Sequence, residues 1–242
     1  MLRAVNIIHK YCMRICLLGL PRSGSQYIAE LICRCHRDSV TDCQEPFTES
    51  LELEAIENKN GNIVRTKNKN FASLDDQCTH MINVINSTNS TQNLLLRLFL
   101  LDNIEPFLPT IITELKKNNF QFLAIKRENI ENQLLSYGIA QTTQQWNTFN
   151  STPYNNGQKY TIKNLGSMQW LYDQIKKYES RLALLECDYE IIRYEHAPAD
   201  LLKILEIPIY RRSRLQKQII GDPYDIIENS DEVKDFLKKI VN

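Results

Sequence analysis

The feature that most constrains this chain is an apolar run that stops at a glycine and a proline and restarts as a helix. MRICLLGL (13–20) suits a strand buried on both faces, and the chain turns at Pro21 and Gly24. From Ser25 the apolar positions Tyr27, Ile28, Leu31, Ile32 and Cys35 follow a helical spacing, with Ser25 placed to cap the first turn. GLPRSGSQ (19–26) therefore joins a buried strand to a helix, where backbone amides and the helix dipole converge on an anion. Glycine geometry alone would explain a tight turn, and it is Arg22, Ser23 and Ser25 alongside that make the loop a candidate anion site.

The same arrangement recurs downstream. FQFLAIKR (120–127) reads as a second buried strand, and ENIENQLLSYGIA (128–140) as a helix with acidic residues in its first turn. LLLRLFLLD (94–102) reads as a strand and PFLPTIITELKKN (106–118) as a helix with proline at its start and lysines at its end. Helical spacing over 167–185, a strand YEIIRYE (189–195), a helix ADLLKILEI (199–207) and a last helix at 231–240 complete the alternation. The fold class implied is α/β: one domain over 1–242, an open, mainly parallel sheet flanked by helices with a P-loop-like first unit. Residues 57–92, rich in Asn, Lys, Ser and Thr, read as a polar excursion with one helix near 74–86. The stretch 146–166 mixes aromatic and turn-forming residues and reads as a surface loop, a candidate substrate lid.

Charge narrows the partners. Lys plus Arg total 29 and Asp plus Glu total 29, so no global basic field exists for nucleic acid or an anionic membrane. Any anion site must be local. Seven cysteines, an odd number crowded toward the first third, lack the spacing of a secreted disulfide framework and point to a reducing, cytoplasmic setting. The apolar run Ile15 to Leu20 is far shorter than the roughly 20 residues of a membrane span.

Three chemistries compete for the loop. Gly19 and Gly24 have the outer spacing of a Walker loop, but Ser25 stands where the phosphate-binding lysine is needed and Gln26 where a hydroxyl would hold Mg²⁺. Cys16 to Ser23 matches the CxxGxxR(S/T) pattern of a cysteine-dependent phosphatase with Cys16 and Arg22 as its reactive pair. Against it, Pro21 lacks an amide and a cysteine in an apolar strand keeps its proton. Third, GLPRSGSQYIAELI resembles the 5′-phosphosulfate loop of sulfotransferases that use 3′-phosphoadenosine 5′-phosphosulfate (PAPS). A sulfuryl donor needs no metal clamp, because amides and a basic side chain can stabilise the charge developing on the leaving phosphate.

That resemblance implies a PAPS-dependent transferase of the bacterial or carbohydrate-type branch, since the RKGxxGDWKN signature of the cytosolic small-molecule branch is missing. It implies that Arg22 and the amides of Ser23, Gly24, Ser25 and Gln26 hold the 5′-phosphosulfate. FLAIKRENIENQLLSYGIA is similar to the family's 3′-phosphate segment and puts that role on Arg127 and Ser136. IIRYEHAPADLLKILEIP is similar to a strand and helix with a structural role, and RLQKQIIGDPYDIIENSDEV resembles the closing segment, where Lys217 is the cofactor candidate. Glu45, in TDCQEPFTES (41–50), occupies the place of a general base, and a semi-buried carboxylate there should have a raised pKa. The acceptor implied is a hydroxyl or amine on a small molecule or carbohydrate, with no metal. A non-catalytic nucleotide-binding or interaction protein of the same fold is the alternative, because Gln26 replaces the usual hydroxyl residue after the loop. Cys33, Cys35, His36 and Cys43 are set aside as a metal cluster because Cys33 and Cys35 leave a helix in different directions. Trp146, Phe149, Tyr154 and Tyr160 either stack on an acceptor or anchor their loop, and anchoring is favoured.

Overall fold

Strand β1 (Arg14–Gly19) is buried at every position, as its unbroken apolar run requires, and it is the central strand of the main sheet. The computed structural model describes residues 12–35, 40–47, 55–66, 71–146, 159–206 and 222–241. After β1 come α1 (Ser25–Cys35), β2 (Thr41–Asp42), the strands β3 (Ala55–Lys59) and β4 (Asn62–Thr66), and α2 (Leu74–Asn86). They are followed by β5 (Leu94–Phe99), α3 (Leu108–Lys117), β6 (Gln121–Lys126), α4 (Ile130–Thr143), α5 (Leu165–Leu184), β7 (Tyr189–Arg193), α6 (Ala197–Leu205) and α7 (Ser230–Val241).

Among the described residues the main sheet has the order β2-β5-β1-β6-β7, and all its pairings are parallel. Alternation along the strands divides the core. Cys16, Leu18, Leu96, Leu98, Phe122 and Ala124 face α2, α3 and α5, while Ile15, Leu17, Leu95, Leu123 and Ile125 face α1 and α6. Each fully buried Leu or Ile contributes about 1.5–3 kcal/mol, so the two faces fix the register firmly. A third cluster joins α4, α5 and α7 through Leu134, Leu135, Leu171, Val233 and Leu237.

The strand order positions the site. The chain leaves β1 through α1 toward β2 on one side, and leaves β6 through α4 and α5 toward β7 on the other. Adjacent parallel strands whose connections diverge open a crevice beyond their carboxyl ends, the usual ligand position in open α/β sheets. Here that crevice lies between the ends of β1 and β6.

Three expectations need correction. The polar excursion contains the hairpin β3–β4 as well as α2; Asn60 and Gly61 both have positive φ, as a two-residue hairpin turn demands. The far end of 146–166 is not a free loop: Ile162 is buried, and residues 160–162 are tied to 226–229 by backbone bonds and by the Asn229 amide, which brackets Ile162. Residues 147–158, with Phe149 and Tyr154, lie outside the described residues. Strand β7 stops at Arg193, and Tyr194–His196 form a 3-10 turn that carries Tyr194 to the first loop.

Candidate active site

The loop after β1 is a type II turn followed at once by a helix. Ser23 N–H donates to the Leu20 carbonyl at 3.1 Å, with Pro21 at the position that fixed φ favours. Arg22, third in the turn, has φ 62°, a left-handed conformation that costs a non-glycine residue about 1 kcal/mol. Gly24 follows at φ 92°, and a Cβ there would lie 2.0 Å from the Tyr194 ring. Glycine is thus required both by conformation and by contact. Helix α1 opens on the Gly24 carbonyl, which accepts from Ile28 N–H at 3.1 Å. Ser25 is its first residue rather than its cap, and the amides of Ser25, Gln26 and Tyr27 fall in the first turn, where helix geometry gives them no intrahelical acceptor. The Ser23 amide, expected to face an anion, is instead engaged inside the turn.

Arg22 reaches across to α4. Its Nε and Nη2 both donate to Ser136 Oγ, at 2.9 and 2.7 Å, and its Nη1 donates to the Trp146 carbonyl at 2.6 Å. Arg127, just past β6, donates from Nη1 to the Arg22 carbonyl at 2.8 Å and lies over the Tyr194 ring at 4.8 Å. Burial pulls its pKa below the ordinary guanidinium value, although it remains a cation. Gln133, buried on α4, donates to the Pro21 carbonyl at 3.0 Å. Arg22, Arg127 and Ser136 therefore meet at one corner, the crevice between β1 and β6. Two buried polar atoms of this corner, Ser23 Oγ and Arg127 Nε, have no hydrogen-bond partner among the described residues.

Sequence reasoning passed over three contributors. Tyr194 packs on Gly24 and under Arg127, Gln133 holds the turn, and the Glu195 carboxylate accepts from the amides of Glu128 and Asn129 at 3.1 and 3.3 Å, fixing the start of α4. The signal for Tyr194 and Glu195 was in IIRYEH, read as scaffold alone.

Glu45 is not in this corner. It lies on the strap after β2, one strand beyond β5, so about 10 Å separates its backbone from β1 at the usual strand spacing. It stands level with the carboxyl half of β1, because Arg97 N–H donates to the Gln44 carbonyl and Arg97 is in register with Leu17. Burial pushes the Glu45 carboxyl above its ordinary pKa, Arg97 at 3.2 Å pulls it back, and Asp42 raises it again. Lys217 lies outside the described residues.

Cys16 is fully buried in β1 with its thiol pushed far up by desolvation, so it offers neither an ionised nor a reachable nucleophile. No group of three or more His, Cys, Asp or Glu suited to a metal ion occurs among the described residues, and no helix there is long and apolar enough to cross a membrane. Trp146 is partly exposed and meets the Tyr137 ring edge-on at 5.8 Å, which anchors that end of the loop to α4.

No family model matches the chain, and no curated protein matches it. Among solved structures it is similar to mouse sulfotransferase SULT7A1 complexed with PAP, at a TM-score of 0.45 and 11% identity, over 96% of this chain and 86% of that one.

Proposed function

We propose that this protein is a sulfotransferase that moves a sulfuryl group from PAPS to a hydroxyl or amine of a small-molecule or carbohydrate acceptor, without a metal ion. The observation that carries the reading is the convergence of Arg22, Arg127 and Ser136 on a glycine loop at the β1–β6 crevice. The donor set suits a polyanion with several oxygens. Two guanidinium groups, the hydroxyls of Ser23 and Ser136 and the first amides of α1 supply hydrogen bonds, and the unpartnered Ser23 Oγ and Arg127 Nε are buried donors such an anion would satisfy.

PAPS supplies the sulfuryl group, with the nucleotide phosphate as its leaving group. Arg22 and the amides of Gly24, Ser25 and Gln26 hold the 5′ side, and Arg22 places positive charge where negative charge develops as the S–O bond breaks. Arg127 and Ser136 hold the 3′-phosphate, the guanidinium fork matching phosphate geometry. Glu45 takes the acceptor proton as the acceptor oxygen or nitrogen bonds to sulfur; its raised pKa strengthens it as a base.

Calorimetry with PAP, the desulfated nucleotide, tests the donor site. Saturable 1:1 binding that is weakened at least tenfold by Arg127→Ala is expected, and the absence of binding would remove the reading. A sulfate-transfer assay against mixed hydroxyl and amine acceptors then separates an enzyme from a protein that binds the nucleotide without turnover.

A further inference from the structure

Strand β5 reads LLLRLF, and its one charged residue, Arg97, is only 5% exposed in the middle of the sheet. Alternation places its side chain on the same face as Leu95, the face that packs against α1. A guanidinium there costs several kcal/mol unless it is paired, and an aliphatic residue would serve the core better. What Arg97 does in return is hold the strap after β2 at three points. Its Nη1 pairs with Glu45 Oε1 at 3.2 Å, its Nη2 faces Asp42 Oδ2 at 3.8 Å, and its backbone N–H donates to the Gln44 carbonyl at 2.6 Å.

The strap is shaped for this grip. Asp42 Oδ1 accepts from Gln44 N–H at 2.8 Å, Cys43 N–H donates to the Leu95 carbonyl at 2.7 Å, and Gln44 takes φ 58°, which swings Glu45 back toward β5. From α2, the neutral Gln77 amide donates to the Pro46 carbonyl at 2.9 Å and fixes the far side of the strap. Among the described residues, the charged groups acting on the Glu45 carboxylate are Arg97 from β5 and Asp42 from β2. Arg97 thus faces both carboxylates.

We propose that Arg97 is the positioning residue for Glu45, gripping Asp42 and Glu45 together from the buried strand so that the Glu45 carboxylate is held in one orientation as the proton acceptor. The inference rests on the transferase reading. Asp42 shares the cation and keeps the guanidinium from neutralising Glu45 outright, which leaves Glu45 able to take a proton. A lysine would offer one point charge and could not fork across both carboxylates.

The experiment uses the full chain with ¹³C-labelled glutamate carboxyls, with the Glu45 resonance assigned by its loss in Glu45→Gln. In Arg97→Gln the Glu45 titration midpoint should rise by about one unit or more, because a carboxylate then faces a like charge without a cation. The acid limb of the sulfate-transfer rate should move with it. In Arg97→Lys the midpoint should move less, while kcat falls about tenfold or more at unchanged KM for PAPS, the mark of lost orientation. A PAP-binding chain whose Glu45 titration ignores Arg97→Gln overturns the inference alone, as does full activity in Arg97→Lys. Should Arg97→Gln fail to fold, the Arg97→Lys kinetics decide. Full transfer by Glu45→Gln removes the base and with it the role of Arg97, whereas failure of the parent chain to bind PAP overturns the transferase reading itself.

Discussion

Two arginine corners lie beyond the carboxyl ends of the strands, and they are built differently. Arg181, on α5 and 2% exposed, is surrounded by carboxylates: Nε donates to Glu105 at 2.9 Å, Nη2 to Asp102, and Nη1 to the Leu100 carbonyl and Gln174. Lys177 also bonds Asp102, at 2.9 Å. The described hydrogen-bond partners of Arg22 and Arg127 are instead a hydroxyl and two carbonyls, all uncharged. The first corner uses its cation to fasten α5 to the segment after β5. The second brings two guanidinium groups to a glycine loop, where the proposed reading puts an anion.

The largest effect should separate the two corners by stability. Arg181→Met leaves the Leu100 carbonyl and Gln174 without their buried donor and two half-exposed carboxylates without its charge, and should lower the unfolding free energy by about 3 kcal/mol, read from the urea midpoint, with PAP affinity intact in the protein that remains folded. The comparison breaks if Arg22→Gly costs as much.

Arg22→Gly should do the reverse. Removing the guanidinium should cut turnover at least about a hundredfold, the usual scale for a donor to a developing charge. Stability should change by less than in Arg181→Met in thermal unfolding, because the ease of glycine at φ 62° offsets part of the loss of the bonds to Ser136 and Trp146. Unchanged turnover would place Arg22 with Arg181 as a scaffold residue.

Acid should sharpen the contrast by a smaller amount. Hydrogen bonds from Lys177 and Gln174, with the Arg181 charge, hold the Asp102 carboxyl below its ordinary value, so its contribution to stability is present above the unfolded-state pKa and is lost as pH falls through the lower folded value. Glu45 is raised, so the folded state binds its proton more tightly and gains relative stability as pH falls through that raised value. Turnover should therefore decline at a higher pH than the fold does. Parallel rate and circular-dichroism titrations that coincide would contradict this.

The sheet was legible because its signals are local. Buried strands such as Leu94–Phe99 and Gln121–Lys126 announce themselves by unbroken apolar runs, and the helix after each carries its own period. The hairpin at Asn60–Gly61 was also written locally, but lay hidden in a polar stretch. Arg22 could be singled out from its own glycine loop, whereas Arg127 and Ser136 were singled out by the resemblance of FLAIKRENIENQLLSYGIA to the sulfotransferase 3′-phosphate segment. Tyr194 and Arg97 could not be found the same way. The ring of Tyr194 matters through its fit to Gly24 and to Arg127, and the role of Arg97 depends on β2 pairing beside β5, long-range adjacencies that no window of sequence displays. Ser23 shows the limit from the other side: its residue type suggested an amide for an anion, and the turn consumed that amide internally.

The seating of Tyr194 on Gly24 also bears on how the protein matures. The glycine corner leaves the ribosome well before the ring that braces it, which is translated 170 residues later. A nascent chain halted before β7 has the loop without its brace, so competence to grip an anion should arrive in one step once β7 has been made and the sheet has closed around β6.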